Sequence, residues 1–134
     1  MIVDTSALVA IVAGEVGSED LAEAVLATSS PLMSAANAFE AAIVIDGRRN
    51  PVLSRALDRM RRELSIAIAP VTADHVEIAR QAYRDFGKGS GHAADLNFGD
   101  CFAYALAKAE DQPLLFVGND FAETDVEPAI DTAT

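Results

Sequence analysis

Short aliphatic runs alternate along this chain with longer stretches whose apolar positions recur at helical spacing. Ile2-Val3, Leu32-Met33, Ile66-Ala67-Ile68 and Leu114-Leu115-Phe116-Val117 have the length and composition of buried strands. The first strand reads as residues 1–4. A helix follows at once, with Thr5 or Ser6 as its cap and Gly14 at its end. Ser18 precedes Glu19 and Asp20, two acids suited to a first helical turn, and Pro31 breaks that helix. A strand at 32–34 leads into a helix from Ala35 to about Asp46, closed by Gly47. Pro51 suits the first turn of the next helix, in which Leu53, Leu57, Met60 and Leu64 form one apolar stripe. A third strand covers 66–69, and Thr72 caps a helix ending near Phe86. Residues 87–92, Gly-Lys-Gly-Ser-Gly-His, read as a mobile loop. Residues 97–110 read as helix, 114–117 as a strand, 118–120 as a turn and 126–128 as a last short strand. Strands alternating with helices predict an α/β fold, a central parallel sheet flanked by helices on both faces. One domain is expected over 1–130, with a frayed tail at 131–134.

Composition narrows the picture. A chain of 134 residues, 51% hydrophobic, can bury a sizeable core. Its net charge of −11, from 21 acids against 10 bases, argues against broad attraction to a polyanion. Contact with a nucleic acid must then be local and helped by cations or a partner. The single Cys101 excludes an intrachain disulfide and fits a reducing compartment. No basic segment followed by an apolar stretch opens the chain, and no apolar run is long enough to span a bilayer. A soluble, cytoplasmic protein without membrane contact is expected.

Most of the acids fall on helix ends or polar faces. Four do not. Asp4 closes a buried strand, where the core has no use for a carboxylate. In an open α/β sheet, ligands bind at the carboxyl ends of the strands. Glu40 interrupts the otherwise apolar run Ala38-Phe39-Glu40-Ala41-Ala42-Ile43, and Asn37 stands one turn earlier on the same face. Asp100 opens a helix that continues Cys101-Phe102-Ala103-Tyr104-Ala105, and Asp120 follows the last apolar strand. Each has a plainer reading alone. Asp4 can cap a helix, Glu40 can meet an arginine, Asp100 can complement its helix dipole and Asp120 can serve a turn. Together, two at strand ends and two on helices packed on the sheet, they can converge on one edge. Carboxylates so gathered raise each other's pKa, and a hard divalent cation relieves that cost. Such a site activates water and braces a phosphodiester oxygen.

With these residues in view, the chain resembles PIN-domain ribonucleases, and in particular the VapC toxins of VapBC toxin–antitoxin pairs. The landmarks are Met1-Ile2-Val3-Asp4-Thr5-Ser6-Ala7-Leu8, the segment from Ser34 to Glu40, and Leu96-Asn97-Phe98-Gly99-Asp100-Cys101. Leu115-Phe116-Val117-Gly118-Asn119-Asp120-Phe121 with Thr124-Asp125 completes them. The resemblance implies a PIN-like fold and an Mg²⁺- or Mn²⁺-dependent endoribonuclease. It implies Asp4, Glu40, Asp100 and Asp120 as the catalytic, metal-holding acids. Ser6 would support Asp4, and Thr124 and Asp125 fall on a secondary motif near the site. It also implies a homodimer, an RNA substrate, a VapB-like antitoxin, and DNA contact only through that antitoxin. The segment His92-Ala93-Ala94-Asp95-Leu96-Asn97 departs from the common family pattern, with Ala93 in place of Pro and Asp95 in place of Gly. Asp95 reads as a loop residue, with a further metal or water ligand as the alternative.

Six of the ten bases lie between Arg48 and Arg62, and Arg55, Arg59 and Arg62 share a helix face. They read either as a solvated face paired with Asp58 and Glu63 or as contacts for RNA or antitoxin. Arg80, Arg84 and Lys88 step along another helix toward the glycine-rich loop, where Lys88 and His92 could touch phosphate. His75 reads as a surface residue and Cys101 as core. No His/Cys grouping has zinc spacing, and the glycine-rich loop lacks the order of a P-loop. Two other functions stay open: phosphoryl transfer through an aspartyl phosphate on Asp4, and a non-catalytic PIN-like module that regulates by binding a partner.

Overall fold

A computed structural model describes residues 1–130, so the expected tail at 131–134 lies outside the described residues. Strand β1 (Ile2–Val3) is followed by α1 (Thr5–Ala13), α2 (Ser18–Leu26), β2 (Leu32–Ser34), α3 (Ala35–Asp46) and α4 (Pro51–Glu63). Then come β3 (Ala67–Ala69), α5 (Ala73–Phe86), α6 (Phe98–Glu110) and β4 (Leu114–Leu115). The strands form one parallel sheet in the order β3-β2-β1-β4, with Ile2 opposite both Leu32 and Leu114. The chain moves outward from β1 to β2 and β3, then returns to place β4 on β1's other side. That reversal makes the carboxyl end of β1 the switch point where open α/β sheets bind ligands.

Alternation along the strands builds two cores. Val3, Met33 and Leu115 point to one face and pack with Leu8, Ile11, Ile45, Leu57 and Leu64 from α1, α3 and α4 and the end of α4. Ile2, Leu114 and Phe116 point to the other and pack with Ala82, Leu96, Tyr104 and Leu106 around α5 and α6. A period of two forces this division, because successive side chains leave opposite faces of a strand. Burial on both faces is why the strands read as continuous apolar runs.

The predicted parallel sheet between helical layers is present. Local details differ. Asp4 caps α1, because its side chain accepts from Ser6 N; neither Thr5 nor Ser6 takes that position. His75 is buried rather than on the surface. It closes a capping box in which Thr72 Oγ1 accepts from His75 N and His75 Nδ1 accepts from Thr72 N. The last expected strand is a single parallel bridge of Pro128 to Leu114, held by Leu114 N to Glu127 O and Ala129 N to Leu114 O. Cys101 is buried, as expected. No helix among the described residues is long and apolar enough to cross a membrane.

Candidate active site

Asp4 leaves the end of β1 and is only 3% exposed. Ser6 donates twice to its Oδ2, from the backbone at 3.0 Å and the hydroxyl at 2.6 Å, while Ser6 Oγ accepts from Val117 N at 3.0 Å. Ser6 thus ties the Asp4 carboxylate to the chain leaving β4. Burial pushes the Asp4 carboxyl up to about 6, with the Glu40 charge adding and the Ser6 hydrogen bonds pulling down.

Glu40 comes from α3. Its Oε1 accepts from Thr5 Oγ1 at 2.5 Å and from Asn37 Nδ2 at 3.3 Å. Thr5 also donates to Asn37 O, so the residue after Asp4 fastens α1 to α3. Asn37 is fully buried and also donates to Gly99 O at 2.9 Å, which joins α3 to the first turn of α6.

Asp100 sits one residue further along α6. A reciprocal capping box holds it: Asn97 N donates to Asp100 Oδ2 and Asp100 N donates to Asn97 Oδ1. Burial pushes its carboxyl up to about 7. The Asn97 hydrogen bond opposes this, and the charges of Asp4, Asp120 and Glu40 add to it. Asp100 therefore feels all three other acids singled out from the sequence, and no salt bridge in the described residues involves any of the four. Asp120 is exposed in the turn after Phe116.

The donor set at this edge is oxygen only, which suits a hard divalent cation better than zinc or copper. Asn37 Oδ1 is the buried side-chain oxygen among the described residues that lacks a hydrogen-bond partner. As the side chains stand, however, no three His, Cys, Asp or Glu groups among the described residues close on one metal position. Each of three carboxylates is held by a hydrogen bond: Asp4 by Ser6 and Asp100 by Asn97 within their own segments, and Glu40 by Thr5 across from α1.

The remaining sequence candidates fall elsewhere. Asp125 accepts from Tyr104 Oη at 2.7 Å and pairs with Lys108 Nζ at 2.9 Å, and Thr124 Oγ1 donates to Phe121 O. Partial burial pushes Asp125 upward, but Lys108 and Tyr104 outweigh it and hold the carboxyl below its ordinary value. Arg55, Arg59 and Arg62 are exposed on α4, with Arg59 3.9 Å from Glu63. Arg84 and Lys88 are exposed; His92 Nδ1 accepts from Ala94 N and its ring meets Phe86 edge-on. Asp95 is an exposed loop residue with φ at 55°, in the left-handed region where glycine is the easy choice and Asp is tolerated. Thr5, which in sequence shows only a capping role, also reaches this edge, and so does Gly99, whose one signal in sequence is its place inside a helix.

The PIN domain family model matches residues 1–127, a span that takes in the parallel sheet and all four acids. Ribonuclease VapC42 of Mycobacterium tuberculosis is 49% identical over 129 residues, 96% of this chain and 98% of that protein. Ribonuclease VapC28 of the same organism is 49% identical over 131 residues, 98% of each chain. The crystal structure of M. tuberculosis VapC20, a Sarcin-Ricin loop cleaving toxin, matches with a TM-score of 0.72 at 16% identity over 93% of this chain and 95% of that one. A toxin–antitoxin complex from Klebsiella pneumoniae matches with a TM-score of 0.69 at 18% identity, over 92% of each chain. The last two likenesses carry the fold. The chain belongs to the VapC family of PIN-domain ribonuclease toxins.

Proposed function

We propose that this chain is a metal-dependent endoribonuclease toxin, in which Asp4, Glu40 and Asp100 hold one Mg²⁺ or Mn²⁺ and Asp120 completes the site or shares a second ion. The observation that carries the reading is Asp100. It is a carboxyl raised to about 7 by burial, with three further acids adding charge and, among the described residues, no basic side chain in a salt bridge with it. A protein rarely keeps such a group unless something positive visits it. When bound, the ion supplies an activated water and charge stabilisation at the phosphodiester, so that hydrolysis leaves 5′-phosphate and 3′-hydroxyl ends.

The chain's own residues do the positioning. Ser6 orients Asp4 and fastens it to the turn that carries Asp120. Thr5 and Asn37 orient Glu40. The capping box fixes Asp100 at the mouth of α6, where the helix N-terminus also favours an anionic substrate group. Ser6 and Asn37 as supports of the acids, Thr124 and Asp125 as supports of the packing between α6 and the chain after β4, and the bases Arg55, Arg59, Arg62, Arg84, Lys88 and His92 as RNA or antitoxin contacts, stay proposals of the same reading. Two partners belong to it as well. A cognate VapB-like antitoxin neutralises the toxin and is its only route to DNA. A second copy forms a homodimer, which the exposed Phe39, Ile43, Val76, Tyr83 and Phe98 support.

The test is RNA cleavage by the purified, antitoxin-free chain with Mn²⁺ and with a chelator, followed by sequencing of the new 5′ ends. Asp4→Asn and Asp100→Asn serve as controls. Cleavage that needs the ion and disappears in both variants is expected. Full cleavage by either variant, folded and free of contaminating nuclease, overturns the assignment.

A further inference from the structure

Gly99 has no backbone reason to be glycine. It lies in the first turn of α6 and does not adopt positive φ. A helical glycine costs about 1 kcal/mol relative to alanine. The reason lies across the helix pair. A Cβ built on Gly99 would stand 2.1 Å from Glu40 Oε2, and 2.6 Å from both Glu40 Cδ and Oε1. No real Cβ tolerates such contacts, so the Glu40 carboxylate occupies the space that any larger residue would fill.

The same carboxylate is pinned from two other sides. Thr5 Oγ1 donates to its Oε1 from α1, and Asn37 Nδ2 donates to that oxygen from α3. Asn37 Nδ2 also donates to Gly99 O, so one buried amide holds the acid and the glycine together. Both neighbours of Nδ2 are acceptors, and turning the amide over would set oxygen against oxygen. The orientation is therefore dictated by the chemistry around it.

We propose that Gly99 is a positioning residue for Glu40: its missing side chain is the seat of the carboxylate, and Asn37 clasps seat and carboxylate into one unit. The inference rests on the reading of Glu40 as a metal-holding acid. Alanine at 99 would leave the backbone helical and evict a flexible side-chain end, so the fold survives while the acid moves.

The experiment is a double-mutant cycle of Gly99→Ala with Glu40→Ala, read by calorimetric Mn²⁺ binding, by thermal melting, and by a crystal structure of metal-free Gly99→Ala. Gly99→Ala is expected to bind Mn²⁺ at least about tenfold more weakly, as loss of an orienting contact does at metal sites. Its melting temperature should stay within a few degrees of wild type, because the helix gain from alanine offsets part of the loss, and its Glu40 carboxylate should leave the Thr5 and Asn37 hydrogen bonds. In the Glu40→Ala background the same substitution should have no further effect on Mn²⁺. Wild-type Mn²⁺ affinity in Gly99→Ala, or an equal loss with and without Glu40, overturns the proposal. If Gly99→Ala alone fails to fold, folding of the double variant supports the seat and its failure overturns it. A wild-type chain that binds no Mn²⁺ refutes the metal reading instead. The metal-free crystal structure then still decides whether Gly99 seats Glu40.

Discussion

One face of α6 carries two carboxylate environments of opposite sense. Asp100, Tyr104 and Lys108 follow one another at four-residue spacing along it. At the N-terminal end, Asp100 meets only other acids among the charges that shift it, and its carboxyl is raised to about 7. Two turns on, Lys108 and Tyr104 meet Asp125 and hold its carboxyl below its ordinary value. The second arrangement is complete in itself: a base and a phenol satisfy an acid. The first is not. The comparison separates an acid that fastens α6 to the chain after β4 from an acid kept at a cost to stability, and only the second kind calls for a visitor.

Exchanging the charge at each end should produce the largest contrast. Asp100→Asn should lower RNA cleavage by roughly 10²–10³-fold or more, the scale of losing one electrostatic partner of the transition state, while circular dichroism stays unchanged. Asp125→Asn should leave cleavage within a few-fold of wild type; an equal loss in both variants would erase the distinction.

Stability should respond the other way round. Asp125→Ala should cost about 1 kcal/mol in chemical denaturation, through one hydrogen bond and one partly exposed ion pair. Lys108→Met should lose a similar amount. A neutral result for both would mean that this contact holds nothing.

The pH dependence sharpens the same contrast. Asp100 has a folded value raised from 3.8 to about 7, so its contribution to stability is intact below pH 3.8 and is lost as pH rises through 7. Metal-free Asp100→Asn should therefore gain on wild type between pH 4 and pH 7 and hold that gain above. Asp125 is depressed, so its contribution is present at neutral pH and lost on acidification. The deficit of Asp125→Asn should shrink as pH falls. Denaturation midpoints of the three proteins across that range check both slopes, and parallel curves would refute the assigned environments.

The smallest effect is expected on α4. Arg59 is exposed and 3.9 Å from Glu63, a pair of little energetic weight. Arg59→Ala should change stability by no more than about 0.5 kcal/mol. A change in RNA or antitoxin affinity without that loss would mark the Arg55, Arg59 and Arg62 face as a contact surface.

Much of this molecule is written in local pattern. Aliphatic runs and helical spacing were enough to read the parallel sheet, its helical layers and most helix ends, because burial on two strand faces and one helix face leaves a direct trace in residue type. Gly14 and Thr72 were legible as helix boundaries for the same local reason. His75 was not, because its burial comes from a capping box and packing rather than from its own hydrophobicity. The last strand was overread, because one bridge to Leu114 leaves an extended segment without a ladder.

The four acids stood out as residues misplaced for a core. What each of them touches was decided only by the fold. Thr5, Asn37 and Gly99 are distant in sequence, up to 62 residues apart for one hydrogen bond, yet they meet at the Glu40 carboxylate. Asp125, by contrast, found Lys108. Residue type and spacing determine which elements form and which groups can ionise. Which charges end as neighbours depends on crossover and strand order, and no local pattern carries that information.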